Sequence, residues 1–257
     1  MATELFNDGS HACYAFHDLA EDYGEHAVQC NQFLIIDRGE AALIDPGGAT
    51  TYNGLLMALQ KLVPVKDLNY VLASHADPDV MASINRWFVS TGCRLAISRV
   101  WARFVPHYAS GNLSTERIIP IPDEGASIRL GGSAVKAVPA HFLHAEGNFQ
   151  FYDPVSRILF SGDLGASMVP PDLAAQPVQN LDAHLRYMAG FHRRYMVCNK
   201  VCRFWAQMAR RLDIEMIVPQ HGSRIVGKAA IARFIDWVEA LSCGVDLLGQ
   251  DDYKIPE

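Results

Sequence analysis

A short polar segment in the first third of the chain carries three side chains that could bind metal. It reads Ser-His-Ala-Asp-Pro-Asp-Val, so that His75, Asp77 and Asp79 alternate with other residues. The apolar run 70–73 before it is typical of a buried strand, and Pro78 favours a loop directly afterwards. Imidazole and carboxylate groups are common ligands of divalent metals. Taken alone, however, the segment is explained at least as well by a solvated polar turn.

Three further segments have the same layout, in which an apolar, β-rich run ends on a residue that can bind metal. The residues that follow these runs are His144, Asp163 and His221. Loops at strand ends are where a rigid scaffold usually presents its ligands. Six residues of metal-binding type at four strand ends are too regular for chance, so we interpret them as one metal site.

The pattern of these residues resembles the metal-binding motifs of the metallo-β-lactamase superfold, and the resemblance extends from about residue 31 to about residue 223. The motifs that carry it are His75-x-Asp77-x-Asp79, His144, Asp163 within Phe-Ser-Gly-Asp, and His221 within Pro-Gln-His-Gly. Within the superfold the chain is most similar to the diiron branch, which comprises the flavodiiron proteins and the oxygen-binding diiron proteins without a flavodoxin domain. Zinc hydrolases usually have a second His where this chain has Asp77. The segment around His144 is also more similar to the diiron proteins.

Two positions depart from the pattern of the diiron branch. The family usually has Glu at position 77, and this chain has Asp77, whose side chain is one methylene shorter. The family often has a further His after the second Asp, and this chain has Val80. The resemblance therefore implies that one metal has one protein ligand fewer.

The resemblance implies an α/β fold, namely a four-layer α/β/β/α sandwich, and we expect residues 1–257 to form a single domain of this kind. It also implies how six ligands divide between two metals. One metal would be held by His75, Asp77 and His144, the other by Asp79 and His221, and Asp163 would bridge them. Asp45 matches a structural Asp close to the site in the superfold.

Two iron ions are the expected cofactor, because three carboxylates and three imidazoles give the site more negative charge than a zinc site usually has. The expected function is to bind dioxygen, and to sense or reduce it. Tyr195 lies where the diiron relatives tend to have tyrosine, and it could donate to bound dioxygen or simply pack. The alternative is a dinuclear zinc hydrolase, which the bridging Asp163 would fit equally well.

The expected partners are dioxygen, with nitric oxide as a second gas, and a separate redox or signalling protein, because the chain ends at Glu257 without a flavodoxin domain. A homodimer is expected by resemblance only. The net charge of −6 gives no reason to expect nucleic acid or an anionic membrane as partner. No apolar run is long enough to span a bilayer, and the N-terminus is not a signal peptide, so we expect a cytoplasmic protein.

The remaining patterns predict the elements that position the site. Residues 31–45 contain two apolar runs on either side of a short turn, a pattern that predicts a β-hairpin. A helix is expected from Val80, just after the candidate ligand Asp79. The longest helix is predicted for residues 181–212 with a break near Phe191 and His192, and a last helix for residues 228–248. Six cysteines without a Cys-x-x-Cys pair argue against a zinc ribbon.

Overall fold

The computed structural model describes residues 2–17, 19, 28–109 and 115–256, and two β-sheets form its centre. Each strand of the first sheet pairs with the next strand along the chain. Within the described residues its strands are β1 (Ala2–Asn7), β2 (His11–Phe16), β3 (Gln32–Asp37), β4 (Glu40–Ile44), β5 (Leu68–Leu72), β6 (Arg94–Ser98) and β7 (Ile118–Ile121). Strands β1 to β4 are antiparallel to one another, and β4 to β7 are parallel.

The second sheet has the order β13-β12-β11-β10-β9-β8. Its strands are β8 (Ala126–Leu130), β9 (Ser133–Pro139), β10 (Phe149–Asp153), β11 (Ile158–Phe160), β12 (Met216–Val218) and β13 (Ile225–Val226). Only β11 and β12 pair in parallel in this part of the described chain.

Helices cover the outer faces of both sheets. They are α1 (Tyr52–Leu59), α2 (Pro78–Met81), α3 (Ile84–Ser90), α4 (Arg99–Ala102), α5 (Val105–Tyr108), α6 (Pro171–Ala174), α7 (Leu181–Tyr195), α8 (Asn199–Ala209) and α9 (Lys228–Glu239). Short 3-10 helices span Val65–Asp67, Thr115–Arg117, Gly244–Leu247 and Gln250–Asp252.

Three apolar clusters separate four layers. Leu55 and Trp87 belong to the cluster between the first sheet and the helices α1 and α3. Phe151 and Phe160 belong to the cluster between the two sheets. The third cluster, which includes Phe234, lies between the second sheet and helices α7 to α9. This arrangement confirms the predicted α/β/β/α sandwich.

The predicted hairpin of β3 and β4 is present and turns tightly. Arg38 and Gly39 both have positive φ angles, of 49° and 87°. Two consecutive residues with positive φ make the turn type that best matches the twist of antiparallel strands, and glycine adopts this conformation without strain. The hairpin directs β4 back towards Asp45 and the edge where the predicted site lies.

The helix after the segment of His75, Asp77 and Asp79 begins earlier than predicted. Helix α2 starts at Pro78, with Asp77 as its N-cap residue, and it is only four residues long. Proline is well tolerated at the first helical position, because the N–H that it lacks has no partner there anyway. Asp79 therefore lies in the first helical turn, and Val80, which is fully buried, packs in the cluster of Leu55 and Trp87.

The predicted break in the longest helix is also displaced. Phe191 and His192 remain helical, and helix α7 ends at Tyr195. His192 is fully buried, and its Nδ1 lies 2.8 Å from the carbonyl oxygen of Met188, one turn earlier in the same helix. Met196 and Cys198 are extended and separate α7 from α8.

The C-terminal helix α9 ends at Glu239, nine residues before the predicted end. Gly244, with a φ of 51°, then starts a 3-10 helix, because the chain turns there against the carbonyl of Val197. Within the described residues, no helix is long and apolar enough to cross a membrane.

Candidate metal centre

The six residues singled out in the sequence lie at one end of the sandwich, where strands of both sheets end. His75, Asp77 and Asp79 follow β5, His144 follows β9, Asp163 follows β11 and His221 follows β12. Because these loops leave neighbouring strands at the same end, side chains that are up to 146 residues apart in the chain meet in space.

Three of these side chains form one group. The ligand-type atoms of His75, Asp77 and His144 all lie within 4.8 Å of one another. Oδ2 of Asp77 is 3.4 Å from Nε2 of His144 and 3.8 Å from Nε2 of His75. Two imidazole nitrogens and one carboxylate oxygen converging in this way are able to hold a divalent cation.

A second group forms around His221. Its Nε2 is 3.5 Å from Oδ2 of Asp79, and the amide nitrogen of Gln220 donates to the same Oδ2 at 3.3 Å. Gln220 is fully buried, so this contact fixes the direction of the Asp79 carboxylate from the protein interior.

Asp163 lies between the two groups and faces both. Its Oδ2 is 2.9 Å from Nε2 of His144 and 3.8 Å from Nε2 of His75, whereas its Oδ1 is 3.4 Å from Nε2 of His221. A single buried carboxylate thus directs one oxygen to each group. A carboxylate placed in this way is able to bind two metals, one through each oxygen.

Two buried atoms in this cluster have no hydrogen-bond partner. They are Nε2 of His75 and Oδ1 of Asp163. Buried polar atoms are nearly always paired, since an unpaired one loses its hydration without compensation. A cation bound between the imidazoles and the carboxylates would satisfy both atoms, so the residues present fit a metal-binding site.

The protonation states favour ligation. Burial opposes ionisation of Asp163, but the imidazoles of His75, His144 and His221 outweigh it and hold the pKa of this carboxyl well below its usual range. Burial would lower the pKa of His221, yet its contact with Asp163 raises that pKa to about 9 in the absence of metal. The carboxylate of Asp163 is thus charged, and a metal ion competes with a proton for the imidazole of His221.

The orientation of His75 is set by a buried chain of hydrogen bonds. Asp45 accepts from the backbone N–H and the hydroxyl of Ser74, at 2.8 and 2.9 Å. Because the hydroxyl proton is used in this way, Ser74 Oγ accepts from Nδ1 of His75 at 2.9 Å. The lone pair of the neutral imidazole therefore lies on Nε2, which faces the cluster. The structure places Asp45 next to the site, as the resemblance implied.

The loop that carries His144 is pinned by Asn148, which is buried. Its amide nitrogen donates to the carbonyl of Leu143 at 2.6 Å, and its Oδ1 accepts from the N–H of Ala145 at 3.1 Å. These two bonds bracket His144 on both sides. Nothing in the spacing of the sequence indicates this role.

The turn that carries His221 is clamped by the segment before β3. Nδ1 of His221 lies 2.7 Å from the carbonyl oxygen of Gln29, and Oε1 of Gln29 accepts from the N–H of Gly222 at 2.9 Å. Asn31 donates to the carbonyls of Pro219 and Gly222, at 3.0 and 2.9 Å. As at His75, the lone pair of the neutral imidazole lies on Nε2.

A cavity of about 790 Å³ opens over the cluster. Helix α7 contributes Phe191 and Tyr195 to its wall, and Val28 and Met168 also line it. Tyr195 is 53% exposed, stacks on Phe191 with 4.6 Å between ring centroids, and lies 5.7 Å from the ring of His144. The cavity is accessible from solvent and largely apolar, which suits a small apolar ligand.

Two other histidines of the sequence do not join the cluster. His141 is three residues from His144, but its Nε2 lies 2.9 Å from the carbonyl oxygen of Asp123 and its ring packs on Phe149. His107 lies in helix α5, against Phe104.

Comparison with known proteins agrees with this architecture. A family model described as "ODP family beta lactamase" matches residues 28–222. A structure described as the peroxy diiron species of chemotaxis sensor ODP is 37% identical, with a TM-score of 0.85, and the match covers 96% of this chain and 97% of that one. The apo state of the same sensor from T. denticola is 36% identical over the same shares, with a TM-score of 0.82.

More distant proteins are also similar to this chain, one in structure and one in sequence. A flavo di-iron protein from Thermotoga maritima is 20% identical, with a TM-score of 0.75, over 93% of this chain and 60% of that one. An uncharacterized protein of Methanocaldococcus jannaschii is 23% identical over 224 residues, which are 86% of this chain, so this chain spans about half (54%) of that relative's length. Because the family model covers well over half of the chain, and the sensor is more than 30% identical over nearly all of it, the chain belongs to the ODP family of proteins with the β-lactamase fold.

Proposed function

We propose that this protein is a non-haem diiron protein that binds dioxygen and serves as an oxygen sensor. The observation that carries the proposal is the position of Asp163, whose two carboxylate oxygens face two separate groups of ligand-type atoms. The relationship to chemotaxis sensor ODP, described as forming a peroxy diiron species, supports both the metal and the ligand.

The distances within the cluster support the ligand set that the resemblance implied. His75, Asp77 and His144 would hold one iron, Asp79 and His221 would hold the other, and Asp163 would bridge them. The shorter side chain of Asp77, which is more exposed than the other members of its group, suits ligation through one oxygen.

Iron is favoured over zinc by the donor set. Three carboxylates and three imidazoles place up to three negative charges around two cations, which stabilises a ferric state more than it stabilises Zn²⁺. Donor type alone does not determine the metal, since the intrinsic affinity for most sites follows the Irving–Williams order. The diiron relative supplies the second argument.

A pair of ferrous ions held by these residues would supply the electrons that dioxygen binding requires. The protein provides access and orientation for it. Asp77, Asp79 and His144 are accessible from the cavity, whereas His75 is buried beneath them and held by Ser74. The apolar wall formed by Val28, Met168 and Phe191 lets a neutral gas enter and offers little to a charged substrate.

Further components of the proposal are a partner protein and an assembly. A sensor needs a protein that receives its signal, and a protein that reduces dioxygen needs an external electron donor. We also propose a homodimer, by analogy with the flavodiiron proteins, and nitric oxide as a competing gas.

The decisive experiment is metal analysis together with optical spectra of protein purified without chelator. The sample is reduced under anaerobic conditions and then exposed to dioxygen. About two irons per chain and a new absorption band on exposure would support the proposal, and removal of the gas shows whether binding is reversible. Two zinc ions without any spectral response would overturn it in favour of a dinuclear hydrolase.

A further inference from the structure

We propose a second metal site, at the end of the sandwich opposite the candidate metal centre, where His11, Cys13 and Asp153 would hold one cation of the Zn²⁺ class. His11 and Cys13 lie on β2 of the first sheet, and Asp153 ends β10 of the second sheet. All three side chains are buried. This set of ligands differs from that of the candidate metal centre, because it includes a thiol.

The spacing of the three donor atoms is close to that of a tetrahedral site. Sγ of Cys13 is 3.7 Å from Nε2 of His11 and 3.6 Å from Oδ2 of Asp153, and these two atoms are 2.8 Å apart. With metal bonds of about 2.0 Å to nitrogen and oxygen and about 2.3 Å to sulfur, tetrahedral ligands lie about 3.3–3.6 Å apart. Only the edge between His11 and Asp153 needs to open, by about 0.5 Å.

The surroundings of His11 match those of a metal-binding histidine. Its other nitrogen, Nδ1, faces Oδ1 of Asp37 at 3.5 Å, and Oδ2 of Asp37 accepts from the N–H of Gly132 at 2.8 Å. Metal-binding imidazoles commonly direct their second N–H to a carboxylate that is itself held in place. Nδ1 is buried and has no partner within hydrogen-bonding geometry, so a small movement of the ring towards Asp37 would satisfy it.

The carboxylate of Asp153 is also oriented from outside the cluster. The N–H of Ser156 donates to Oδ2 of Asp153 at 3.1 Å, and its hydroxyl donates to the same oxygen. The hydroxyl of Ser156 is thus a further polar group next to the three donors and is available as a fourth ligand.

The charge of the cluster accommodates a divalent cation. Bound as a carboxylate and as a thiolate that has released its proton to solvent, Asp153 and Cys13 would carry two negative charges. These offset the two charges of the cation, and His11 would bind as the neutral imidazole. The metal would then join β2 to β10 and hold the two sheets together at this end.

Cobalt titration tests the site directly, because Co²⁺ replaces Zn²⁺ and a Co²⁺–thiolate bond gives a strong near-ultraviolet absorption band. The ligand set proposed for the first site contains no thiolate. Protein stripped of metal is titrated with Co²⁺, and bound cobalt is counted after dialysis. We expect a thiolate band and a third cobalt ion per chain, and we expect both to be lost in Cys13→Ser.

Cys30→Ser is the matched control, because Cys30 is the thiol that lines the cavity over the first site. Its substitution should leave the thiolate band unchanged. Asp37→Asn should weaken the third cobalt by about 10–100-fold without removing the band. Retention of two cobalt ions shows that each variant is folded. A wild-type protein without a thiolate band, or a band that survives in Cys13→Ser, would overturn the proposal and leave a buried ion pair of His11 with Asp37 and Asp153.

Discussion

The backbone N–H of Gly165 donates to Nε2 of His192 at 2.9 Å, although the two residues lie on different elements of the second half of the sandwich. Gly165 is two residues after Asp163, in the turn that carries the proposed bridging carboxylate. Nδ1 of His192 donates to the carbonyl of Met188 within helix α7. The buried imidazole of His192 therefore connects the turn that carries Asp163 to helix α7, which also carries Phe191 and Tyr195.

His192→Phe should weaken this connection while filling a similar volume. The N–H of Gly165 would be left buried without a partner, which costs about 1–3 kcal/mol of unfolding free energy. Since the loop would also be less well held, we expect both irons to dissociate about 10–100-fold faster in the presence of a chelator. Denaturant unfolding and the rate of iron release measure the two effects.

His184→Phe is the matched control, since His184 lies on the same helix and its ring packs on Tyr187 of that helix. Its rate of iron release should equal that of the wild-type protein. Equal rates for His192→Phe and wild type would show that the bond to Gly165 has no influence on the metal centre.

Asn148→Ala should make the loop that carries His144 less well fixed, without affecting the other proposed ligands. Asn148 holds the residues on both sides of His144, and neither of its bonds reaches the ligands proposed for the second metal. We expect loss of the iron of His75, Asp77 and His144 at chelator concentrations that leave the other iron bound, with the iron content falling from about two per chain to about one.

Asn180→Ala provides the comparison for this variant. Asn180 caps helix α7 by accepting from the N–H of Ala183 at 3.1 Å, far in sequence from any proposed ligand. Loss of this cap should cost about 1 kcal/mol of unfolding free energy without changing the iron content. If both asparagine variants lose the same amount of iron, the effect of Asn148 comes from lower stability alone.

Asp163→Ala should remove the carboxylate that is proposed to bridge the two metals. Because each oxygen of this carboxylate faces one of the two groups of ligands, we expect the variant to lose both irons or to retain them without magnetic coupling. Metal analysis and Mössbauer spectroscopy in an applied field distinguish these results. Asp213→Ala, which removes an exposed carboxylate paired with Lys228, is the control. Two coupled irons in Asp163→Ala would contradict the assigned bridge.

The proposed metal-binding residues could be singled out in the sequence because each directly follows or lies close to the end of an apolar run. The polar residues at 75, 77 and 79 and those at 163 and 221 are visible as local interruptions of β-rich sequence. Their division between two metals could not be derived in this way. It came from the family resemblance, and the structure adds only the distances between them.

Apart from Asp45, the residues that hold the proposed ligands were not predicted, because their partners are remote in sequence. His192 contacts Gly165 across 27 residues, and Gln29 contacts Gly222 across 193. The helix break was predicted too early, since Phe191 and His192 remain helical and α7 ends at Tyr195.

The N-terminal hairpin was missed for a different reason. Strands β1 and β2 precede residue 31, where the predicted elements began, and β1 is at most half-buried with mixed polar and apolar residues. An edge strand with one exposed face gives a weak pattern in the sequence. His11 and Cys13, which belong to the proposed second metal site, lie on β2 and were overlooked with it.

Substitution of Tyr195 tests whether a side chain of the cavity wall donates a hydrogen bond to the bound ligand. Its ring packs on Phe191 and lies beside His144, but the side chain is 53% exposed, so the hydroxyl is accessible for a ligand bound in the cavity. Tyr195→Phe keeps the stacked ring and removes only the hydroxyl. Stability and iron content should not change, since substitutions at such exposed positions usually stay within about 0.5 kcal/mol.

Dioxygen affinity should nevertheless fall in Tyr195→Phe if the hydroxyl donates to the bound gas. A hydrogen bond to a charged acceptor contributes about 1.5–3 kcal/mol, so the dissociation rate of dioxygen should rise by about 10-fold or more. Tyr195→Leu, which also removes the stacked ring, separates the two roles of this residue. Equal dissociation rates for wild type and Tyr195→Phe, with a faster rate only in Tyr195→Leu, would assign Tyr195 to packing against Phe191 and His144.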